Sequence, residues 1–174
     1  PRLFFLERSD SVLQLCTLAS GSSGNSLLVS DGTTHILVDA GISCRRITTA
    51  LKGLGVDPAD LSAVLITHEH TDHISGLTTL TKQRRVPVYA SRGTGRQLCY
   101  RIAFLEEVLH PFTPGDHFSI GSIDVESFPT PHDAAESTGY ALSADGRKAA
   151  VVTDLGHVTA AVEAGIRGAN LLVA

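Results

Sequence analysis

His68-Glu69-His70-Thr71-Asp72-His73 puts four side chains able to bind a metal within six residues, directly after the apolar run Ala63-Val64-Leu65-Ile66. A short apolar run of this kind reads as a buried strand. A strand edge followed by a tight loop can aim several side chains into one cleft. Neutral imidazoles with a carboxylate are what a borderline cation such as zinc or manganese binds. The same residues also fit a polar helix start capped by Asp72, because single surface histidines are common. Three histidines and an aspartate at this spacing weigh toward the metal.

Outward from that motif, short β-rich runs alternate with helical ones. Residues 12–18, Ser26–Ser30 and 34–38 read as consecutive strands, joined by the glycine-rich turn 20–25 and by Asp31-Gly32, a hairpin signal. Residues 42–54 have helical spacing and stop at Gly53 and Gly55; Asp57-Pro58-Ala59-Asp60 is a turn into the 63–66 strand. Downstream, 73–84 is predicted as a helix capped by Asp72, 86–90 as a strand and 94–102 as a helix. Strands return at 118–120, 123–128, 138–143 and 148–153, followed by a helix over 158–164. A last strand begins at 170–173, and the apolar run Leu171-Leu172-Val173-Ala174 ends the sequence with no partner or exit in view. Strands, then helices, then strands again predict an α+β fold of two sheets with helices outside.

The 174 residues suit one domain spanning 1–174, with 43% apolar content and a mean hydropathy of +0.13. No apolar stretch is long enough to cross a bilayer. Glu7 and Asp10, within or beside the apolar run of Pro1 to Asp10, do not suit a secretory segment. The sequence starts at Pro1 and contains no Met, so its natural start is expected to have been removed or altered. Cys16, Cys44 and Cys99 are odd in number and widely spaced, which argues for a reducing, cytoplasmic compartment and for small buried hydrophobes. A net charge of −4 excludes a generally basic nucleic-acid binder. Yet between Ile74 and Leu105 there is no Asp or Glu, while Lys82, Arg84, Arg85, Arg92, Arg96 and Arg101 give the segment +6 and leave −10 elsewhere. A basic face beside a cationic site would suit a polyanion; a solvated helix surface fits the same residues equally well.

Other positions follow strand ends, where open α/β sheets place their functional crevice. His132 follows the 123–128 strand, and Asp154 closes the 148–153 strand. Asp39 ends the 34–38 strand, reading either as a turn former or as a carboxylate that orients a ligand histidine. His35, His110, His117 and His157 fit ordinary roles, with His35 in a strand and His117 and His157 in loops. By strand-like alternation Glu69 points away from its histidine neighbours and is left out of the ligand set.

His68-x-His70-x-Asp72-His73 after an apolar strand, with Asp39, His132 and Asp154 along the chain, resembles the metallo-β-lactamase-fold hydrolases. Four stretches narrow the resemblance to the YycJ/WalJ branch: Leu18-Ala19-Ser20-Gly21-Ser22-Ser23-Gly24-Asn25-Ser26, Leu37-Val38-Asp39-Ala40-Gly41, Thr67-His68-Glu69-His70-Thr71-Asp72-His73 and Pro131-His132-Asp133-Ala134-Ala135-Glu136. The resemblance implies an αβ/βα four-layer sandwich with a two-metal site in the groove between its sheets. His68, His70 and His132 would hold the first metal; Asp72 and His73 would hold the second, with Asp154 bridging. It also implies 5′-to-3′ DNA exonuclease activity linked to DNA repair. The family continues past the Leu-Leu-Val strand with a segment that brings the last histidine of the second metal. The fold is therefore expected to be truncated at its C-terminus and the second site incomplete.

The expected function is phosphodiester hydrolysis on DNA through a dinuclear metal-bound hydroxide, with two zinc or manganese ions about 3.5–4 Å apart and Asp72 and His73 at the reacting centre. The loop 20–25 could offer backbone N–H groups, and Ser22, Ser23, Asn25 and Ser26 could offer polar side chains, to a phosphate. The same loop reads equally as a plain tight turn. Two alternatives stay open: a hydrolase of a thioester, lactam or small cyclic phosphodiester on the same fold, and a truncated domain that binds metal without turnover.

Overall fold

The structure is a computed structural model that describes residues 2–4 and 13–174. The N-terminal reading of Pro1 to Asp10 thus falls largely outside the described residues, as does Val12 of the predicted 12–18 strand. Strands β1 (Arg2–Phe4), β2 (Gln14–Ala19), β3 (Ser26–Ser30), β4 (His35–Val38), β5 (Leu61–Leu65), β6 (Val88–Ser91) and β7 (Leu109–Phe112) form one sheet in that order. β1 to β4 are antiparallel neighbours, while β4, β5, β6 and β7 run parallel. The parallel pairs require crossovers. These are supplied by α1 (Cys44–Gly53), by α2 (Thr71–Ile74) with α3 (Leu77–Arg84), and by α4 (Arg92–Arg101). A second sheet has the order β12 (Leu171–Val173), β11 (Arg147–Val151), β10 (Thr138–Ala144), β9 (Ile123–Pro129), β8 (His117–Ile120), with α5 (Ala160–Ile166) connecting β11 to β12.

Strand alternation sorts the apolar residues into three cores. Leu15, Leu27, Val29, Ile36, Val38 and Leu65 face Ile123, Val125, Tyr140, Leu142 and Val151 between the sheets. Leu28, Leu37, Val64 and Val88 meet Ile47, Leu51, Leu77, Leu80 and Leu98 of the helices outside the first sheet. Phe128, Ala141 and Val152 meet Val162 of α5 outside the second. The layers are helix, sheet, sheet, helix, as the αβ/βα sandwich requires. Each fully buried Leu or Ile contributes roughly 2 kcal/mol, against less than about 1 kcal/mol for an exposed ion pair such as Arg85–Glu107 at 2.6 Å. Apolar burial therefore holds the sandwich.

Local signals account for most element ends. Ser43 caps α1 by accepting from the Arg46 N–H, and Gly55, at φ +78°, turns the chain away after it. Four expectations are corrected. The helix predicted over 73–84 is two helices, broken at Ser75-Gly76, where the Gly76 N–H donates out of the helix to the Ala40 carbonyl at 2.8 Å and the glycine packs against the Ile42 carbonyl with no space for a Cβ. Asp72 does not cap it; the cap position is His70, and the Asp72 side chain points elsewhere. His117 opens β8 instead of lying in a loop, paired with Glu126. The last strand has a partner after all: β12 pairs in parallel with β11, Ala150 opposite Leu172. β7, unforeseen from the sequence, contains Pro111 and is the terminal strand of its sheet, where a missing N–H is tolerated. Cys16 and Cys44 are buried free thiols; Cys99 is only half-buried. Among the described residues no helix is long and apolar enough to cross a membrane.

The β3–β4 turn is tied across to the other sheet by one carboxylate. Asp31 accepts from the Thr33 N–H at 3.0 Å, the Thr33 hydroxyl at 3.0 Å, the Thr34 N–H at 2.8 Å and the Ser122 hydroxyl in the β8–β9 turn. Burial alone would raise its pKa, but the bonds from Ser122, Thr34 and Thr33 outweigh that and lower it to about 2. A depressed carboxylate pKa stabilises the fold above the ordinary value, and that stabilisation fades as pH falls through the folded-state value. Asp31→Asn should cost about 2 kcal/mol near neutral pH. Its urea midpoint should also depend less on pH between about 4 and 2 than that of the unaltered protein. Parallel pH profiles would contradict this role.

Candidate metal centre

The β5 strand ends at Leu65, and Ile66-Thr67 carries the chain over the sheet edge into the histidine loop. Two bonds from the second sheet fix this exit: the Tyr140 hydroxyl donates to the Ile66 carbonyl at 2.6 Å, and the Thr138 N–H donates to the Thr67 carbonyl at 3.0 Å. Beside it, the turn after β4 fits against the next segment with no space for a side chain. A Cβ on Gly41 would lie 1.6 Å from the Asp72 carbonyl oxygen, and the Ala40 N–H donates to the His73 carbonyl at 2.8 Å. The Asn25 N–H donates to the Asp72 carbonyl at 2.7 Å, bringing in the loop after β2.

Six of the side chains singled out from sequence converge here. The ring nitrogens of His68, His70 and His132 form one group whose members all lie within 4.8 Å of one another; His68, His73 and Asp154 form a second, sharing His68. Asp72 joins the second, its Oδ2 at 3.5 Å from His73 Nε2, while Asp154 Oδ2 lies at 3.0 Å. His132 Nε2 faces His70 Nδ1 at 3.2 Å. Asp39, at the end of β4 and with φ +60°, directs its Oδ2 at His73 Nδ1 at 2.8 Å and accepts from the Thr67 N–H and hydroxyl, each at 2.8 Å.

Hydrogen-bond logic assigns the ring protons. The Thr67 hydroxyl donates its proton to Asp39, so toward His68 Nδ1 at 3.0 Å it can only accept. His68 therefore carries its proton on Nδ1 and a bare lone pair on Nε2. That Nε2 is buried and has no partner among the described residues. Burial, then the neighbouring His73, His132 and His70, lowers the His68 pKa to about 3 and keeps the ring neutral. His73 donates Nδ1–H to Asp39, leaving Nε2 turned toward two carboxylates. Burial opposes protonation there, but the Asp39 bond and the charges of Asp39, Asp154 and Asp72 outweigh it and raise its pKa. Facing lone pairs and carboxylates without a positive charge between them would repel; a cation relieves both clusters. The donor set, imidazole nitrogen with carboxylate oxygen, fits a divalent transition metal.

The structure places the residues of the expected substrate loop in different surroundings. Ser22 and Ser23 are exposed at the loop tip. Asn25 is engaged inside the centre, its Nδ2 at 3.3 Å from Asp72 Oδ2 and 3.1 Å from His73 Nε2. Ser26 is corrected: it is 2% exposed and its hydroxyl donates to the Asp39 carbonyl at 2.9 Å, so it is out of reach of any substrate. The backbone N–H groups of Gly21, Gly24 and Asn25 are likewise used within the fold. The six basic residues do not form one face: Arg85 pairs with Glu107, and Arg101 donates to the Glu69 carbonyl at 2.9 Å.

Glu69 indeed lies outside both ligand groups, but it has a task that the sequence did not reveal. Only 7% exposed, it accepts from the Ala135 N–H at 2.8 Å and from the Thr94 hydroxyl at 3.4 Å. It thereby ties the loop bearing His132 to the loop bearing His68 and His70. A second clasp, Gly156 N–H to the Pro131 carbonyl at 3.1 Å, joins the Asp154 loop to the same place.

Residues 34–174 match the family described as a beta-lactamase superfamily domain, and the chain belongs to that family. It is 40% identical over 162 residues to the exodeoxyribonuclease YycJ of Bacillus anthracis, an alignment covering 92% of this chain and 61% of that protein. It is 39% identical to the exodeoxyribonuclease WalJ of Streptococcus pneumoniae, over 82% of this chain and 54% of that protein. Zinc-bound PqqB of Methylobacterium extorquens superposes with a TM-score of 0.71 at 25% identity, over 85% of this chain and 58% of the other. The chain thus spans less than two thirds of the length of each. The metallo-β-lactamase fold is a divalent-metal scaffold, and the two ligand groups are its candidate sites here.

Because Glu69 clamps the His132 loop, Glu69→Ala should weaken zinc binding about tenfold to a hundredfold, read by competition with a chromophoric chelator. Glu69→Gln, which keeps part of the bonding, should fall between. Unchanged affinity in both would remove Glu69 from the support of the centre.

Proposed function

We propose that the protein is a metal-dependent phosphodiesterase that degrades DNA from 5′ to 3′, using two divalent cations, zinc or manganese. The observation that carries this is the pair of donor groups sharing His68, whose buried Nε2 lone pair has no other partner among the described residues. His68, His70 and His132 would hold one cation, and Asp72 and His73 the other, with Asp154 bridging. Bound there, such cations supply Lewis acidity and a lowered pKa for water, the usual chemistry of two-metal phosphodiester hydrolysis.

The residues themselves divide the remaining work. Asp39 fixes the His73 ring and, through Thr67, the His68 ring, so both present Nε2 without rotating. Asn25 holds Asp72 against His73. The Asp72 and Asp154 side chains are 32% and 36% exposed while His73 is fully buried, so substrate approaches from the aspartate side. Ser22 and Ser23, exposed in the loop that also carries Asn25, would offer hydroxyls to a phosphate oxygen. DNA as the substrate is supported by the names of the two exodeoxyribonuclease relatives. Three free cysteines fit the reducing cytoplasm as its location.

Chelation should abolish cleavage of end-labelled, 5′-phosphorylated duplex DNA, and manganese or zinc should restore it. His132→Ala and Asp154→Ala should each lower the rate more than about a hundredfold, and Asp39→Asn about tenfold to a hundredfold. Faster turnover of a thioester or lactam than of DNA would replace this reading with a small-substrate hydrolase.

A further inference from the structure

Helix α4 presents a face that the metal centre does not use. Arg92, Arg96 and Tyr100 recur every fourth residue and therefore lie along one side of the helix. All three are exposed, Tyr100 to 90%, while Thr94, Gly95 and Leu98 turn inward. The face borders a surface hollow of about 480 Å³, whose lining includes these three residues, Cys99 and, as its single acid, Glu106. Arg96 makes no ion pair among the described residues, and Arg92 makes one long bond, to the Thr113 hydroxyl at 3.4 Å. Two unpaired guanidinium groups beside a protruding aromatic ring form a surface with no internal reason to exist.

The face begins beside the loop that carries His132. The Gly93 N–H at the start of α4 donates to Glu136 Oε2 at 2.7 Å, and the Ser91 hydroxyl donates to the Glu136 carbonyl at 2.7 Å. Glu136 lies in the loop that carries His132, and the neighbouring Ala135 is held by Glu69. A strand leaving the centre across that loop meets Arg92 first, then Arg96 about 6 Å on, then Tyr100 another 6 Å beyond.

We propose that this face of α4 is a track for single-stranded nucleic acid, with Arg92 and Arg96 on successive phosphates and Tyr100 stacked on a base. The inference rests on the DNA reading above and adds the form of DNA held next to the centre. An unpaired base has a free π-face for Tyr100, whereas bases inside a duplex are already stacked on each other; ring stacking with backbone cations is the usual way of holding a single strand. Glu106 opposes a polyanion, so its neutralisation should act in the opposite sense to loss of an arginine.

The test uses the full, metal-loaded chain with a fluorescent ten-nucleotide phosphorothioate oligothymidylate, which resists cleavage, and a phosphorothioate duplex of equal length, read by anisotropy. Tyr100→Ala should weaken single-strand binding about tenfold or more, with duplex binding changed less than about twofold, and Tyr100→Phe should restore it. Replacing Arg92 and Arg96 together with Ala should flatten the slope of log affinity against log salt by about 1.4. Glu106→Gln should tighten binding, an outcome that a folding defect does not produce. Hydrolysis of bis(p-nitrophenyl) phosphate, too small to reach α4, should be unaffected in all these variants. Single-strand affinity unchanged in Tyr100→Ala, with DNA cleavage intact, would overturn the track and spare the nuclease reading. A metal-loaded protein that cleaves neither DNA nor the small diester would overturn the nuclease reading, while loss of single-strand binding in Tyr100→Ala would still support the track. If Tyr100→Ala instead abolishes self-association in sedimentation, the face is an interface between copies and the track is wrong.

Discussion

The Asp39 carboxylate is the constraint on which the centre depends. At 1% exposure it has lost its water, and a buried carboxylate is tolerated only when its oxygens are fully bonded. The bonds come from Thr67 N–H, Thr67 hydroxyl and His73 Nδ1. Those three donors lie 28 and 34 residues along the chain, on the exit of β5 and on α2. The need to satisfy one acid thus brings the ends of two parallel strands and the histidine loop together. It also sets the proton positions on two rings: once Thr67 has given its proton to Asp39, His68 is left with a lone pair that faces outward into the cluster. The left-handed backbone at Asp39, a conformation uncommon outside glycine, is the local cost of aiming the carboxylate sideways across the sheet edge.

Much of this was readable in the sequence because the signals are local. Ser26–Ser30 was bounded as a strand by its apolar run and the Asp31-Gly32 turn, and the structure has those same limits. The ligand cluster was readable because four donors fall inside six residues. His132 and Asp154 carry no such local density; strand ends suggested them, and the family resemblance assigned them. What sequence did not convey is non-local. Nothing in the 73–84 periodicity says that Gly76 must sit against the Ile42 carbonyl, so one helix was read where the chain makes two. The partner of β12 is not visible in the sequence because it, β11, lies across the α5 crossover. β7 was hidden by Pro111, which denies it a strand-like pattern but costs nothing on a sheet edge.

Glu69 and Ser26 show the same limit at the level of single side chains. Alternation left Glu69 out of the ligands but could not name Ala135 and Thr94, 66 and 25 residues away, as its partners. Ser26 looked like its neighbours Ser22 and Ser23, three hydroxyls in one loop. Its membership in β3, the first residue past the turn, buries it and commits its proton to Asp39, while the other two stay at the tip. A residue's type was legible; which way the loop had turned by the time it reached that residue was not.

Each of the two ligand groups draws from both halves of the sandwich. His68 and His70 or His73 come from loops after the first sheet, His132 and Asp154 from loops after the second. Between them the sheets are joined by apolar contact, which is strong but non-directional and would tolerate sliding. Directional ties near the centre include Tyr140 to Ile66, Thr138 to Thr67, Glu69 to Ala135, and Ser91 and Gly93 to Glu136. A cation gripping donors from both sides adds a directional constraint at the place where the register of the two sheets matters. Since the unfolded chain cannot present those donors together, the free energy of gripping the cation is also free energy of closing the sandwich. Anything that loosens the His132 loop therefore acts on metal affinity and on the mutual docking of the sheets at once. The α4 track, whose first residues bond to that same loop, is positioned by the same closure.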